Sequence, residues 1–169
     1  MFNNIIRILT SYRYFIIIIL FYEVFYFLKN YKGNFISISK NNKMSDNIPC
    51  PYYFLIKIFR FLKLSNFKVF LDLGAGSGRI LYFFNAKFKK KKFIGIEYFR
   101  SNFKILKKLF KKEKNIELIQ ADFTKLNLKK LNVDCFFLNN PFKNQMKSLK
   151  FIKKILKENK KKKKIYLYL

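Results

Sequence analysis

The chain has 169 residues, enough for one domain with a real core and too few for two, and its 51% hydrophobic and 20% aromatic content argues against disorder. Its 37 Lys+Arg against 9 Asp+Glu give a net charge of +28, which points to nucleic acid, an anionic membrane or an acidic partner, or else to A/T-rich codon drift with a gain in solubility. Histidine is absent, so Ser-His-Asp chemistry, His-coordinated zinc and imidazole acid–base catalysis are excluded for this chain.

Residues 1–30 predict an apolar N-terminal helix, and residues 14–28, "YFIIIILFYEVFYFL", read as a marginal membrane anchor. Fifteen residues reach only about 22 Å as a helix against a hydrocarbon core of roughly 30 Å. Glu23 inside the segment is costly in lipid, so spanning would need Arg13 near one interface, with Tyr12, Tyr14, Tyr26 and Tyr31 as interfacial aromatics. No small-x-small cleavage site follows, which favours an uncleaved anchor over a signal peptide; the alternative is a helix packed on the domain. Lys29, Lys32, Lys40 and Lys43 outnumber Arg7 and Arg13, placing the C-terminal side in the cytoplasm.

Residues 31–48 are polar and read as a linker to a domain over 49–169. Pro49 and Pro51 introduce "YYFLIKIFRFLKL", an amphipathic helix by its spacing. For Tyr52 and Tyr53 two readings stand: helix packing, or one ring over a site. From there strands and helices alternate: strand 68–73, helix "GRILYFFNAKF", strand 92–98, helix "SNFKILKKLFKKE", strand 116–122, strand 133–138, helix "NQMKSLKFIKKILKEN" and a last strand "KIYLYL". This pattern predicts an α/β domain with a mostly parallel sheet, whose ligands bind at the carboxyl ends of the strands. The run Lys160–Lys164 reads as a solvated turn before that last strand. Cys50 and Cys135 lie far apart without CxxC spacing, so neither a metal site nor a disulfide framework is expected.

The glycines concentrate in "VFLDLGAGSGRI", residues 69–80, where Gly74, Gly76 and Gly78 take three of only five. They sit between the first strand and its helix, where missing Cβ atoms let a ligand approach main-chain N–H groups. The spacing is GxGxG, with Arg79 where a dinucleotide fingerprint would place glycine. Asp72 closes the first strand, Glu97 the second and Asp122 the third, and Asn139 and Asn140 end the fourth, followed by Pro141 and Phe142. Three of nine acidic residues thus fall at three successive strand ends in a Lys-saturated chain.

At these residues, "LDLGAGSGR", "IGIEY", "IQADF" and "LNNPF", the chain resembles the class I S-adenosylmethionine-dependent methyltransferases, with a Rossmann-like fold, over about 49–169. The resemblance implies that the Gly74–Gly78 turn lies against the methionine part of S-adenosyl-L-methionine with Asp72 supporting it. It implies that Glu97 holds the ribose hydroxyls, that Asp122 with Phe123 beside it sits at the adenine, and that Asn139, Asn140, Pro141 and Phe142 line the catalytic position. Enzymes acting on planar amino nitrogens resemble Asn-Pro-Pro-Tyr/Phe there, and Asn140 departs from that pattern. "FFLNN" before an aromatic also resembles the protein-lysine methyltransferases that lack a SET domain. The implied function is N-methylation of a protein side chain; a nucleic-acid substrate, or a truncated non-catalytic remnant, are the alternatives. The resembling fold continues past the fifth strand with a helix and antiparallel strands, which this sequence lacks.

Overall fold

The computed structural model describes residues 2–32, 49–139, 142, 144–159 and 166–168, with side chains of 2–13, 145 and 166–168 excluded. Five strands alternate with helices: β1 (Val69–Leu73), β2 (Lys92–Glu97), β3 (Ile116–Gln120), β4 (Cys135–Leu138) and β5 (Tyr166–Tyr168). Ahead of them come α1 (Phe2–Leu28) and α2 (Tyr52–Lys63), and between them α3 (Arg79–Lys87), α4 (Arg100–Leu109) and α5 (Gln145–Glu158). The strand order is β3-β2-β1-β4-β5, and every pairing among the described residues is parallel. Chain direction across the sheet therefore reverses between β1 and β4, which opens a crevice at their carboxyl ends.

Two-residue alternation sorts the side chains onto two faces. Phe70, Phe93, Cys135 and Phe137 pack under α2, α3 and α4, while Leu71, Leu73, Ile94, Ile96, Phe136 and Leu138 face α5 and the 3-10 turns after β3. Local chemistry fixes the boundaries. Pro51 precedes α2, whose Tyr52, Leu55 and Leu62 recur at helical spacing and are buried. The Asn144 side chain accepts from Met146 N at 2.9 Å and Lys147 N at 3.3 Å, capping α5. Asp134 Oδ2 accepts from the N–H groups of Lys68 and Val69 at 2.8 and 2.9 Å, pinning the start of β1 beside β4.

The N-terminal expectation needs correcting. Among the described residues no helix is long and apolar enough to cross a membrane. Glu23, the residue that a span would have had to carry at a cost, instead accepts from Tyr52 N at 2.8 Å and from Arg79 Nη1 at 2.8 Å. Tyr26 is buried against Tyr52, with ring centroids 4.5 Å apart, and against Phe83. This face of α1 packs on the domain. Tyr31, placed in the linker by sequence, belongs with this cluster, 4.8 Å from Tyr26 and 5.5 Å from Tyr82 between ring centroids. Residues 33–48 and Lys160–Lys164 lie outside the described residues.

Candidate active site

Sheet register brings the carboxyl ends level. Asp72 lies opposite Gly95 on one side and Phe137 on the other, and Leu73 lies opposite Ile96 and Leu138. Glu97 lies opposite Gln120, so Asp72, Glu97, Asp122 and Asn139 gather along one edge of the sheet. Period-2 alternation puts Asp72 on the side of Phe70 and Glu97 on the side of Phe93, the face covered by α2, α3 and α4.

Asp72 is fully buried, and neither carboxylate oxygen has a hydrogen-bond partner among the described residues. Burial, helped by repulsion from Glu97, pushes its pKa up to about 8. Directly after it the chain turns through three left-handed glycines, Gly74 at φ +87°, Gly76 at +54° and Gly78 at +88°. Two of them serve different ends. A Cβ on Gly74 would meet nothing within 4 Å, so the turn is open there; one on Gly78 would come within 2.7 Å of Leu106 and 2.9 Å of Phe110, so that glycine lets α3 pack on α4.

Glu97 is buried and holds the turn in shape. Its Oε2 accepts from Gly76 N at 2.7 Å and its Oε1 from Phe99 N at 2.8 Å. Burial raises its pKa, and the N–H groups of Phe99 and Gly76 and the Asn102 side chain oppose that rise. Glu97 thus takes hydrogen bonds from the turn after β1 and from the start of α4 together, tying the two strand ends to one carboxylate.

Asp122 is half-buried, and its Oδ1 accepts from Thr124 N at 3.0 Å and Thr124 Oγ1 at 2.6 Å, capping a 3-10 turn. Phe123 is sealed inside the second face of the sheet, with Phe151 5.1 Å and Phe142 5.5 Å away between ring centroids. Its ring packs the core and presents no free face at the strand end. Phe142 is in the same cluster and is also buried. Asn139 follows β4 directly and is half-buried; Asn140 and Pro141 lie outside the described residues. Tyr52 and Tyr53 are packing residues: Tyr52 sits beneath Tyr26, and Tyr53 meets Phe15 at 5.6 Å and Tyr22 at 5.8 Å.

Residues 70–159, just over half of the chain, match the family model described as a methyltransferase domain. The chain belongs to this family. The methyltransferase domain so placed is of the class I, S-adenosylmethionine-dependent type with a Rossmann-like fold. No curated protein matches the sequence. Among solved structures it is similar to a precorrin-6y C5,15-methyltransferase from Geobacter metallireducens GS-15, at 19% identity over 60% of this chain and 52% of that one, TM-score 0.46. It is similar too to a SAM-dependent methyltransferase from Aquifex aeolicus, at 23% identity over 49% and 46%, TM-score 0.42. A coclaurine N-methyltransferase bound to N-methylheliamine and SAH shares 18% identity over 51% and 26%, TM-score 0.45. The chain spans about half or less of the length of each.

Sequence reading alone misses a second tier of this methyltransferase domain. Arg79, first residue of α3, is almost buried; it pairs with Glu23, donates to Cys50 O at 3.3 Å, and lies 4.5 Å over the Tyr52 ring. The Gly74–Gly78 turn is thus anchored from outside the sheet by α1. The signal was present in Glu23, a lone carboxylate in an apolar run. Cys50 is also buried there, its thiol pushed up to about 12 by burial, and so stays protonated.

Proposed function

We propose that the chain is a cytoplasmic S-adenosylmethionine-dependent methyltransferase that modifies a nitrogen on a protein side chain. The observation carrying the cofactor half is Asp72, a fully buried carboxyl whose oxygens have no hydrogen-bond partner among the described residues, two positions before the open Gly74 turn. A buried carboxyl without partners is costly, and a cationic amino acid moiety is the chemistry that satisfies it. The residues therefore fit the cofactor: Asp72 and the turn at its methionine end, the Glu97 carboxylate at the end of β2 for its ribose, and Asp122 at the strand end next to it.

Bound there, S-adenosylmethionine supplies a methyl group already activated by its sulfonium, so the protein's task is to hold an acceptor close and aligned. A chain without histidine suits that task. Asn140 standing in place of the proline found in enzymes of planar amino nitrogens favours an aliphatic side-chain amine.

The test is incubation of the full chain with labelled S-adenosylmethionine and cell extract, alongside calorimetric titration of the cofactor. Label is expected in the protein fraction, and Glu97→Ala should weaken cofactor affinity at least about tenfold, since it removes charge-assisted acceptors. Label confined to RNA or DNA would shift the substrate to the nucleic acid that the +28 charge favours. Undiminished affinity in folded Glu97→Ala would overturn the cofactor assignment.

A further inference from the structure

From Tyr14 to Leu28 the N-terminal helix carries a single charge, Glu23, and the domain covers one side of this stretch. Tyr22, Glu23 and Tyr26 face inward onto Tyr53, Arg79 and Tyr52. On the opposite side Ile17, Leu20, Phe21, Val24 and Leu28 form a stripe without a charge, exposed by between 56% (Leu20, Val24) and 74% (Leu28). Proteins rarely leave a contiguous apolar surface of this kind open unless something docks on it.

The rim identifies the occupant. The Lys29 ammonium sits 4.4 Å over the Phe25 ring, and that of Lys57 4.5 Å over the Tyr53 ring, which in turn packs edge-on against Phe15. Arg60 is exposed on α2, as are Phe54 and Phe61. Glu23, the acidic residue of α1, is turned inward onto Arg79, so it does not offset these cations. A second copy would bring another +28 chain against this one, cationic rim to cationic rim. An anionic bilayer instead offers acyl chains to the stripe and phosphates to the rim. From Ile17 to Leu28 the stripe is about 18 Å long, short of the roughly 30 Å needed to cross.

We infer that α1 lies in the plane of an anionic membrane surface, with its Ile17–Leu28 stripe among the acyl chains and Lys29, Lys57 and Arg60 at the phosphates. The sheet is then held off the bilayer by the Tyr22–Tyr26 face. This placement holds whatever the methyl acceptor is.

Flotation of the full chain with vesicles tests it, because aggregated protein does not float. The chain should float with phosphatidylcholine–phosphatidylglycerol vesicles, and much less with phosphatidylcholine alone or at high salt. Ile17→Ser with Phe21→Ser should lower bound protein at least about tenfold, and Lys57→Gln with Arg60→Gln several-fold on the anionic vesicles only. All four side chains face solvent, so circular dichroism should show each variant folded. Wild-type chain left unfloated by the anionic vesicles, or floated equally by wild type and the Ile17/Phe21 variant, would overturn the inference. So would a lipid-free dimer by ultracentrifugation that the same pair of substitutions dissociates, since the stripe would then belong to a second copy.

Discussion

Asp72, together with Glu97, whose pKa burial also raises, makes the stability of the domain depend on pH. The folded pKa of Asp72 is raised to about 8 from an ordinary value of 3.8, so between those values the folded chain carries a proton that the unfolded chain has lost. Stability must then fall as pH rises through that window, by up to about 1.4 kcal/mol per pH unit, and level off above it. Thermal melts at pH 5.5 and pH 8 should show the higher midpoint at the lower pH, and Asp72→Asn should shrink the difference. At this scale the sequence was a good guide to position and a poorer one to role. Asp72, Glu97 and Asp122 do stand along one edge, because strand parity and length fix where a chain emerges from a sheet. Other acids in the same Lys-rich chain turned out to hold structure: Asp134 binds backbone N–H groups, Glu113 accepts from Asn85 at 2.8 Å, and Glu117 pairs with Lys92 at 2.9 Å.

Among the elements, the turn between β1 and α3 shows that three glycines of one motif are not equivalent. Alanine at Gly74 meets only the strain of a positive φ, about 1–2 kcal/mol, because nothing lies within reach of its Cβ. Alanine at Gly78 adds a clash with Leu106 and Phe110 across the α3–α4 contact, costing about 1–3 kcal/mol more. Paired chemical denaturation of the two variants should therefore give the lower midpoint for Gly78→Ala. All five strands and the helices from α2 onward were legible from periodicity and punctuation, since Pro51, Gly78 and Asn144 mark helix starts by local chemistry alone. Phe123 and Phe142 were not. An aromatic next to a strand end looks the same in sequence whether it faces a ligand or folds back onto α5, and only the meeting with Phe151 decides it.

For the molecule as a whole, the ion pair between Glu23 and Arg79 joins α1 to everything after it. The Arg79 side chain is only 9% exposed, so Glu23→Ala leaves a charge in the interior without its partner. Breaking such a pair from one side costs about 3–5 kcal/mol, and denaturant unfolding of Glu23→Ala should show a loss of that order, with a smaller one for Glu23→Gln, which keeps acceptors for Arg79 and Tyr52 N. No reading of residues 14–28 alone could find this, because the partner lies 56 residues on and the apolar run by itself satisfies lipid and protein equally.

That separation also has a history in time. A ribosome working at roughly 5–20 residues per second makes Glu23 some seconds before Arg79 exists, so the greasiest stretch of the newborn polypeptide must wait for its counter-ion. Whatever shelters it in that interval, a chaperone or the lipid surface itself, meets the protein before the sheet has formed.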